Sequence, residues 1–314
     1  MNKVFVSLII PIFNGKEYVH NLIKMLDQQT FQDFEVLFID DGSSDGTWDE
    51  MNKYTRDNIK VIQENNLGVS VARNNGILQA KGKYILFPDA DDNFVPTYIE
   101  KLVCAMQIEN TQMAICGYLE QTTNRTNFEF SPPQQCYTNK TNFINEVISH
   151  HSVCSALWNK IFLRSIIETN NIRFDETITI GEDLLFIIQY LQYTEKVISV
   201  QEPLYKYYIN SNGAMNKFLS ANSFNVNWLT EWKALNKAQD SIKSMNIVSP
   251  TQLQFKRVRV ASKLLFLMKK FAYHNTEYEL QSELRSKLVK YIFTSDDSIK
   301  VKMRIIRRII TLIF

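Results

Sequence analysis

Residues 4–41 read VFVSLIIPIFNGKEYVHNLIKMLDQQTFQDFEVLFIDD, which is an apolar run, an amphipathic segment and a second apolar run. The first run, Val4 to Ile10, has the nearly continuous apolarity of a strand that is buried on both faces. Between residues 14 and 29, apolar side chains recur at the spacing of one helical face. Val36 to Ile39 is a second buried strand. This order predicts two parallel strands joined by a crossover helix, the unit of an open α/β sheet.

The same alternation continues through the first hundred residues, and the pattern later changes. A polar helix over 46–55 precedes a strand at Ile59 to Ile62, and a helix over Gly68 to Ala80 precedes a strand at Tyr84 to Phe87. From about Phe218, long helical periodicity with few helix breakers replaces this pattern. The sequence therefore predicts an α/β protein with a mostly parallel sheet flanked by helices, followed by a helical C-terminal appendage.

The composition is that of a globular protein with an uneven charge. The 314 residues are 45% apolar and 22% charged, and 35 basic side chains nearly balance 33 acidic ones. Such a composition excludes intrinsic disorder, and the balance argues against a nucleic-acid partner. Residues 1–217 carry 18 basic and 26 acidic side chains, whereas residues 218–314 carry 17 basic and 7 acidic ones. This split predicts an acidic, metal-binding front and a basic rear that favours an anionic surface.

Cysteine usage and the lack of long apolar runs indicate the compartment. The four cysteines form no Cys-x-x-Cys pair, which is typical of thiols in a reducing cytoplasm. The apolar run at the start has no small-x-small cleavage site after it, so a strand is expected there rather than a signal peptide. No window approaches the roughly eighteen consecutive apolar residues of a spanning helix. We therefore expect a cytoplasmic chain that does not cross a bilayer by itself.

Four successive loops after the predicted strands are polar, and two of them are strongly acidic. They contain Asn14, the segment Asp40–Ser43, Asn66 with Gly68, and the segment Asp89–Asp92. In open parallel sheets, ligands bind beyond the carboxyl ends of the strands, where loops converge and helix N-termini present N–H donors. Carboxylates in such a crevice suit Mg²⁺ or Mn²⁺ paired with a diphosphate. An acidic turn that caps the next helix is the alternative.

Three further groups of residues each have two interpretations. Asp41 either accepts a hydrogen bond from a nucleotide or belongs to a helix-capping turn. Arg73 lies in the first turns of the helix after Gly68, where it either reaches a phosphate or pairs with a nearby carboxylate. Glu182 and Asp183 begin an apolar helix, and they either complement the helix dipole or supply a general base that points into the crevice.

Five ordered blocks in the first hundred residues resemble the signature blocks of family 2 inverting glycosyltransferases. These blocks are Ser7–Asn14, Gln29–Phe31, Glu35–Thr47, Asn66–Gly76 and Gly82–Asp92. Two later matches, Trp158–Phe162 and Gly181–Asp183, extend the resemblance to about Tyr207. The resemblance implies a GT-A fold that binds a nucleotide-diphosphate sugar, usually UDP-linked. It also implies transfer of a hexose or N-acetylhexosamine to an acceptor hydroxyl with inversion.

By motif position, the resemblance also implies a role for individual residues. The residues that would bind the nucleotide sugar are Pro11, Asn14, Glu17, Asp41, Gly68, Arg73, Asp89 and Ala90. Asp89, Asp91 and Asp92 would bind a Mn²⁺ or Mg²⁺ ion. Asp183 would be the catalytic base, with Glu182 as its acidic neighbour.

The resemblance divides the chain and leaves two alternative functions open. Residues 1–217 would be the catalytic domain, with a nucleotide-sugar half to about residue 112 and an acceptor half over 113–217, and residues 218–314 the appendage. Many relatives have Arg-x-His where this chain reads Tyr208–Asn210, so an expected histidine is absent. The Gln-x-x-Arg-Trp motif of processive synthases is also absent, which predicts single additions. A non-catalytic nucleotide-sugar-binding or assembly subunit is the alternative function, and a nucleotidyltransferase is a third.

The C-terminal segment, residues 298–314, has the composition of an interfacial helix. It reads SIKVKMRIIRRIITLIF, with five basic residues and no acidic one. One helical stripe is apolar and consists of Ile299, Met303, Ile306, Ile310 and Ile313. This pattern predicts contact with an anionic membrane surface, and docking onto the appendage is the alternative. Together with the resemblance, this pattern predicts a peripheral protein on the inner face of the cell membrane. We expect such a protein to transfer sugar to a lipid-linked saccharide in polysaccharide synthesis of the capsule or O-antigen type.

Overall fold

The strands of the protein form one mixed sheet with an apolar core on each face. The computed structural model describes residues 4–108, 111–122, 125–133, 135–149, 153–209, 223–273 and 277–313. The strands are β1 (Val6–Ile12), β2 (Phe34–Asp40), β3 (Ile59–Gln63), β4 (Tyr84–Leu86), β5 (Asn93–Phe94), β6 (Met113–Thr122), β7 (Arg125–Phe130), β8 (Cys136–Tyr137), β9 (Lys160–Leu163) and β10 (Val197–Tyr208). Their order is β3-β2-β1-β4-β9-β6-β10-β5, with β7 beside β6 and β8 beside β10.

Helices connect the strands and continue beyond the sheet. They are α1 (Lys16–Asp27), α2 (Thr47–Asn52), α3 (Val69–Gln79), α4 (Tyr98–Met106), α5 (Lys140–Ile148), α6 (Arg164–Thr169), α7 (Glu182–Leu191), α8 (Trp228–Ser244), α9 (Thr251–Lys270), α10 (Glu277–Thr294) and α11 (Ile299–Ile313). In the described part of the chain, no helix combines the length and the apolarity that crossing a bilayer requires.

The first four strands β1 to β4 are parallel, as the sequence predicts. β1 lies between β2 and β4 and pairs in parallel with both, and β3 pairs in parallel with β2. Alternate side chains enter opposite cores: Ile9 and Leu37 lie in one, and Leu8 and Val36 lie in the other. Because both faces are covered, these strands read as almost continuous apolar runs.

The second half of the sheet is mixed. β9 is antiparallel to both β4 and β6, whereas β6 and β10 run in parallel. β6 and β7 pair as an antiparallel hairpin, with Tyr118 opposite Phe130 and Thr122 opposite Arg125. β6 and β10 continue through polar positions to Thr122 and Tyr208, because the two strands stay paired there.

The C-terminal helices share a core with one face of the sheet. Trp228 of α8, Leu264 of α9 and Ile305 of α11 belong to the same apolar cluster as Ile9 of β1. α8 packs on α7, and α9 packs on α8, α10 and α11. The appendage is thus helical, and its core is continuous with that of the sheet. The division of the chain at residue 217 stays a prediction.

Candidate active site

The polar loops predicted from the sequence meet at the carboxyl ends of the parallel strands. Asn14 follows β1, Asp41 follows β2, Gly68 lies between β3 and α3, and Asp89 follows β4. Because parallel strands end at the same edge of a sheet, these loops surround one crevice. The remaining site residues reach this crevice from α3 and α7.

The loops after β1 and β2 are tied together by hydrogen bonds. The backbone N–H of Asn14 donates to Ser43 Oγ at 2.8 Å, and Asn14 Oδ1 accepts from the backbone N–H of Ser44 at 2.9 Å. Pro11 is half-buried at the end of β1, and Glu17 is exposed in the first turn of α1. The structure therefore places Asn14 at the junction of the two loops and leaves Glu17 facing solvent.

Asp41 holds the loop that leads into α3. Its Oδ1 accepts from the backbone N–H of Leu67 at 2.6 Å, and its Oδ2 accepts from that of Gly68 at 2.9 Å. The side chain is buried. Gly68 has φ +97°, a conformation that side chains with a Cβ rarely adopt. Asp41 and Gly68 thus set the position of the α3 N-terminus, and the nucleotide contact predicted for Asp41 stays a prediction.

Arg73 is a buried cation shared by three carboxylates that are distant in sequence. Its Nη1 lies 2.7 Å from Asp183 Oδ1 and 3.7 Å from Glu182 Oε1, and its Nη2 lies 3.3 Å from Asp89 Oδ1. The guanidinium stacks over Phe174, 5.4 Å from the ring centroid. Burial disfavours its charge, but these carboxylates outweigh that effect and raise the pKa of Arg73. The ion pair that the sequence left as an alternative is therefore present, and it joins the end of β4 to the start of α7.

Glu182 and Asp183 are adjacent carboxyl groups whose pKa values are both raised by burial. Both lie in the first turn of α7, after Gly181, whose φ of +89° turns the chain into the helix. Burial raises the pKa of Glu182 to about 8, and the neighbouring charge of Asp183 raises it further. Burial also raises the pKa of Asp183, while Arg73 opposes the rise. Arg73 Nη1 lies 2.7 Å from Asp183 and 3.7 Å from Glu182, so the ion pair favours the negative charge on Asp183 over that on Glu182.

We expect Glu182→Gln to stabilise the protein at alkaline pH. The pKa of Glu182 in the folded chain, about 8, is above its ordinary value of 4.5. The stability linked to its proton is therefore complete below pH 4.5 and is lost as the pH rises through 8. The amide remains neutral, so the free energy of unfolding of the variant should exceed that of the wild type by on the order of 4 kcal/mol at pH 9.

Urea unfolding at pH 5, 7 and 9 measures this difference. Glu168→Gln is the matched control, because Glu168 is exposed and pairs with Arg164 at the helix surface. The control should follow the wild type at each pH. If the free energies of unfolding of Glu182→Gln and the wild type differ by the same amount at pH 5, 7 and 9, the raised pKa of Glu182 is wrong.

The acidic segment after β4 contains three differently placed carboxylates. Asp89 is partly exposed beside Arg73, Asp91 is exposed, and Asp92 is buried. Asp92 Oδ1 accepts from the backbone N–H of Tyr208 at 2.8 Å, and its Oδ2 has no partner among the described residues. Burial raises the pKa of Asp89 to about 6 and that of Asp92 well above its usual value. Ala90 packs against the core on the side of α1 and α4.

These oxygens fit a hard divalent cation in part. In the described part of the chain, no three histidine, cysteine or acidic side chains form a preassembled metal cluster. Asp89 and Asp91 nevertheless present carboxylate oxygens at the strand end, and Mg²⁺ typically binds one or two carboxylates together with substrate phosphates. The donor set therefore suits an ion that arrives with a diphosphate. A metal role for the buried Asp92 stays a prediction.

A cavity of about 490 Å³ opens beside Asp183 and continues towards the appendage. Its polar and charged lining includes Asp89, Tyr118, Glu120, Glu182, Asp183, Tyr207, Glu231 and Lys256, and its apolar lining includes Val147, Ile148, Trp158, Leu184, Ala234 and Leu235. Glu231, Ala234 and Leu235 come from α8, and Lys256 comes from α9. The C-terminal helices therefore form one wall of the cavity that contains the candidate base.

Aromatic side chains form another wall, which the sequence did not predict. Trp158 stacks on Tyr205 with ring centroids 4.5 Å apart and on Tyr207 at 5.7 Å. The hydroxyl of Tyr205 accepts from the backbone N–H of Asp89 at 3.0 Å. This stack joins β10 to the acidic segment. The only signal in the sequence was the match at Trp158–Phe162, to which no role was assigned.

The buried Lys160 shapes the loop that carries Trp158. Its ammonium group donates to the carbonyl oxygens of Val153, Cys154 and Ala156, at 3.2, 2.9 and 2.7 Å. Burial lowers the pKa of Lys160. Lys160 thus satisfies the carbonyls of a tight loop at the cavity wall. Asn210, which stands where many relatives have the histidine, lies outside the described residues.

Comparisons with known proteins agree on one family. The sequence profile of glycosyl transferase family 2 matches residues 7–167. The chain is 32% identical over 228 residues to the poly(ribitol-phosphate) beta-N-acetylglucosaminyltransferase TarP of Staphylococcus aureus. The aligned segment covers 71% of this chain and 66% of TarP. It is also 30% identical over 219 residues to the cholesterol galactosyltransferase of Borreliella burgdorferi. That alignment covers 65% of this chain and 60% of the galactosyltransferase. The chain therefore spans less than two thirds of the length of these curated relatives.

A solved structure shares the fold. The crystal structure of S. aureus TarS 1-349 in complex with UDP-GlcNAc superimposes with a TM-score of 0.67 at 20% identity, and the match covers 92% of this chain and 80% of that one. The predicted GT-A arrangement of sheet and flanking helices is thus confirmed.

Proposed function

The chain belongs to glycosyl transferase family 2, and from that premise we propose that it transfers a hexose or N-acetylhexosamine from a UDP-sugar to an acceptor hydroxyl with inversion. The observation that carries the proposal is the position of Asp183. Its carboxylate lines the 490 Å³ cavity and is held by Arg73, which also contacts Asp89 at the nucleotide end of the crevice. A single base between a donor end and an acceptor cavity is the arrangement that one direct displacement needs.

In this proposal, Asp183 takes the proton from the acceptor hydroxyl as that oxygen attacks the anomeric carbon. Arg73 keeps Asp183 ionised, and the neutral Glu182 keeps a second charge away from it. Burial raises the pKa of Asp183 towards the working pH, which makes it a stronger base than an exposed aspartate. Since attack and departure occur on opposite faces of the sugar, the centre inverts without a covalent enzyme intermediate.

The donor end would hold the nucleotide diphosphate. The loops carrying Asn14 and Asp41 and the N-terminus of α3 at Gly68 would contact the nucleotide, because a helix N-terminus presents free N–H groups. Asp89 and Asp91 would hold a Mg²⁺ or Mn²⁺ ion, which neutralises charge on the departing diphosphate. The TarS structure contains UDP-GlcNAc, which supports a UDP-sugar over other donors.

Calorimetric titration with a panel of UDP-sugars, with a GDP-sugar control, tests the proposal. Each titration is made with Mn²⁺ and with EDTA, and slow donor hydrolysis is measured for every sugar that binds. We expect metal-dependent binding and hydrolysis of one UDP-sugar. Binding with neither hydrolysis nor transfer to any acceptor would indicate the binding subunit instead, and no binding to any nucleotide sugar would overturn the proposal.

The acceptor is proposed to belong to a bacterial surface polymer. TarP, named as a poly(ribitol-phosphate) glycosyltransferase, supports this assignment, as does a 29% identical teichoic acid poly(glycerol phosphate) polymerase of Staphylococcus epidermidis over 64% of this chain. A lipid-linked form of such an acceptor would be present at the inner face of the cell membrane. Attachment of the enzyme to that surface would raise the local acceptor concentration.

Helix α11 supports such attachment because it is docked on one side and apolar on another. Ile305 is buried in the core, whereas Ile299, Met303 and Ile310 are 79, 45 and 50% exposed. Beside this stripe, α11 and Phe266 line a groove with the basic residues Lys300, Arg304, Arg307 and Arg308. Exposed apolar side chains flanked by cations favour an anionic lipid surface.

We expect the double variant Ile299→Gln/Met303→Gln to bind vesicles containing anionic lipid about tenfold more weakly than the wild type, because two side chains that would enter the lipid interface are lost. Vesicle flotation at physiological salt measures this. Val248→Gln is the matched control, since Val248 is an apolar side chain, 86% exposed, in the connection between α8 and α9. Unchanged binding of the double variant, or equal wild-type binding to zwitterionic vesicles, would contradict membrane attachment through α11.

A further inference from the structure

Four cations lie within about two turns of α9, and three of them are paired with carboxylates. The pairs are Arg257 with Glu283, Arg259 with Asp297 and Lys263 with Glu231, at 2.9, 2.7 and 2.5 Å. The fourth cation is Lys256. Among the residues that the structure describes, no carboxylate lies within ion-pair distance of its ammonium group.

Lys256 instead faces the cavity of the candidate active site. It lines the same 490 Å³ space as Asp183, on the wall that α8 and α9 contribute. Burial lowers the pKa of Lys256, and Arg259 and Lys263 act in the same direction, while Glu231 opposes them. Glu231 is itself committed to Lys263. An ammonium group in this position is only partly compensated, and an anionic ligand would stabilise it.

The charges of the cavity define where an anion can bind. Asp89, Glu120 and Asp183 line the cavity, and they repel a negative group. Lys256 is the only cation among the described lining residues, so it marks the one place where a negative group meets an attractive charge. A lysine ammonium is a compact point charge that binds phosphate oxygens. A phosphate monoester carries close to two negative charges at pH 7, whereas a carboxylate carries one, so a phosphate gains more from a single cation.

We propose that Lys256 binds a phosphate group of the acceptor while Asp183 faces the hydroxyl that receives the sugar. This inference rests on the proposed function and assigns a substrate class to its acceptor cavity. It makes α9 part of the acceptor site. A phosphate held at this wall would also fix which hydroxyl of a long or repetitive acceptor reaches Asp183.

The test compares glucose 6-phosphate with glucose as probes of the cavity. Binding of each to the full chain is measured by calorimetry at saturating UDP, so that the diphosphate site is filled and the probe phosphate cannot enter it. We expect the wild type to bind glucose 6-phosphate about tenfold more tightly than glucose, because a charge-assisted contact contributes a factor of this size.

Lys256→Gln should reduce this preference to twofold or less, and Lys256→Arg, which keeps the charge, should retain most of it. Lys243→Gln is the matched control, since Lys243 is an exposed lysine of α8 that pairs with Asp240. It should behave as the wild type. Thermal melting and UDP binding of each variant show that the chain is folded and that the donor end is intact.

Equal wild-type binding of the two probes would overturn the inference, as would a preference that survives in Lys256→Gln. Glucuronate that binds as tightly as glucose 6-phosphate would overturn the phosphate assignment. These outcomes are separate from failure of the proposed function, which would appear as absent UDP and UDP-sugar binding in the wild type.

Discussion

Asp183→Asn is expected to reduce sugar transfer about a thousandfold while leaving the affinity for the donor within about threefold. The amide has the size of the carboxylate, and its oxygen can still accept from Arg73, which lies 2.7 Å from Asp183 Oδ1. It cannot take a proton from the acceptor hydroxyl. Loss of a positioned general base typically costs two to four orders of magnitude in rate. The donor contacts proposed for Asn14, Asp41 and Gly68 are unaffected.

The rate of transfer under saturating donor and the calorimetric affinity for the donor separate these two effects. Asp297→Asn is the matched control, because Asp297 makes an ion pair of the same length, 2.7 Å, with Arg259 and is similarly buried in the appendage. The control should transfer sugar at close to the wild-type rate. Transfer by Asp183→Asn within tenfold of the wild type would show that another group is the base.

The fold was predictable because its first strands are buried on both faces. The apolar runs at Val4 to Ile10 and Val36 to Ile39 predicted β1 and β2 to within about two residues at each end. Polar positions in β6 and β10 hid their full length, because pairing between strands, rather than burial, continues them. Local sequence pattern detects buried strands and does not detect the half-exposed ends of strands that continue by pairing with their neighbours.

The site was predictable as a set of loops but not as a set of contacts. Strand-end position indicated Asp41 and Asp89, and motif position indicated Asp183. The sequence could not show that Arg73 joins Asp89 to Asp183, because Asp183 lies 110 residues after Arg73 and the placement of α7 depends on the packing of the whole sheet. Lys256 gave no signal at all, since a lysine in a long helix is most often solvated.

Arg73→Met should lower the free energy of unfolding by about 3 to 5 kcal/mol at pH 8. Arg73 is buried, with its side chain 5% exposed, and its removal leaves the partly buried charges of Asp89 and Asp183 without a cation. Breaking a buried ion pair from one side has a cost of this size. Arg56→Met is the matched control, because Arg56 pairs with Asp27 at 2.5 Å in an exposed position. It should lose less than about 1 kcal/mol.

Urea unfolding measures both variants, and two further variants identify the cause of the loss. Arg73→Lys keeps the charge but not the forked geometry, so it should lose less stability than Arg73→Met. Adding Asp183→Asn to Arg73→Met removes one of the uncompensated charges and should restore about 1 kcal/mol or more. A loss no larger than that of Arg56→Met, or no recovery in the double variant, would mean that the carboxylates of Asp89 and Asp183 do not depend on Arg73. The buried cation would then be a feature of packing, and the link between the nucleotide end and the candidate base would have to come from elsewhere in the sheet.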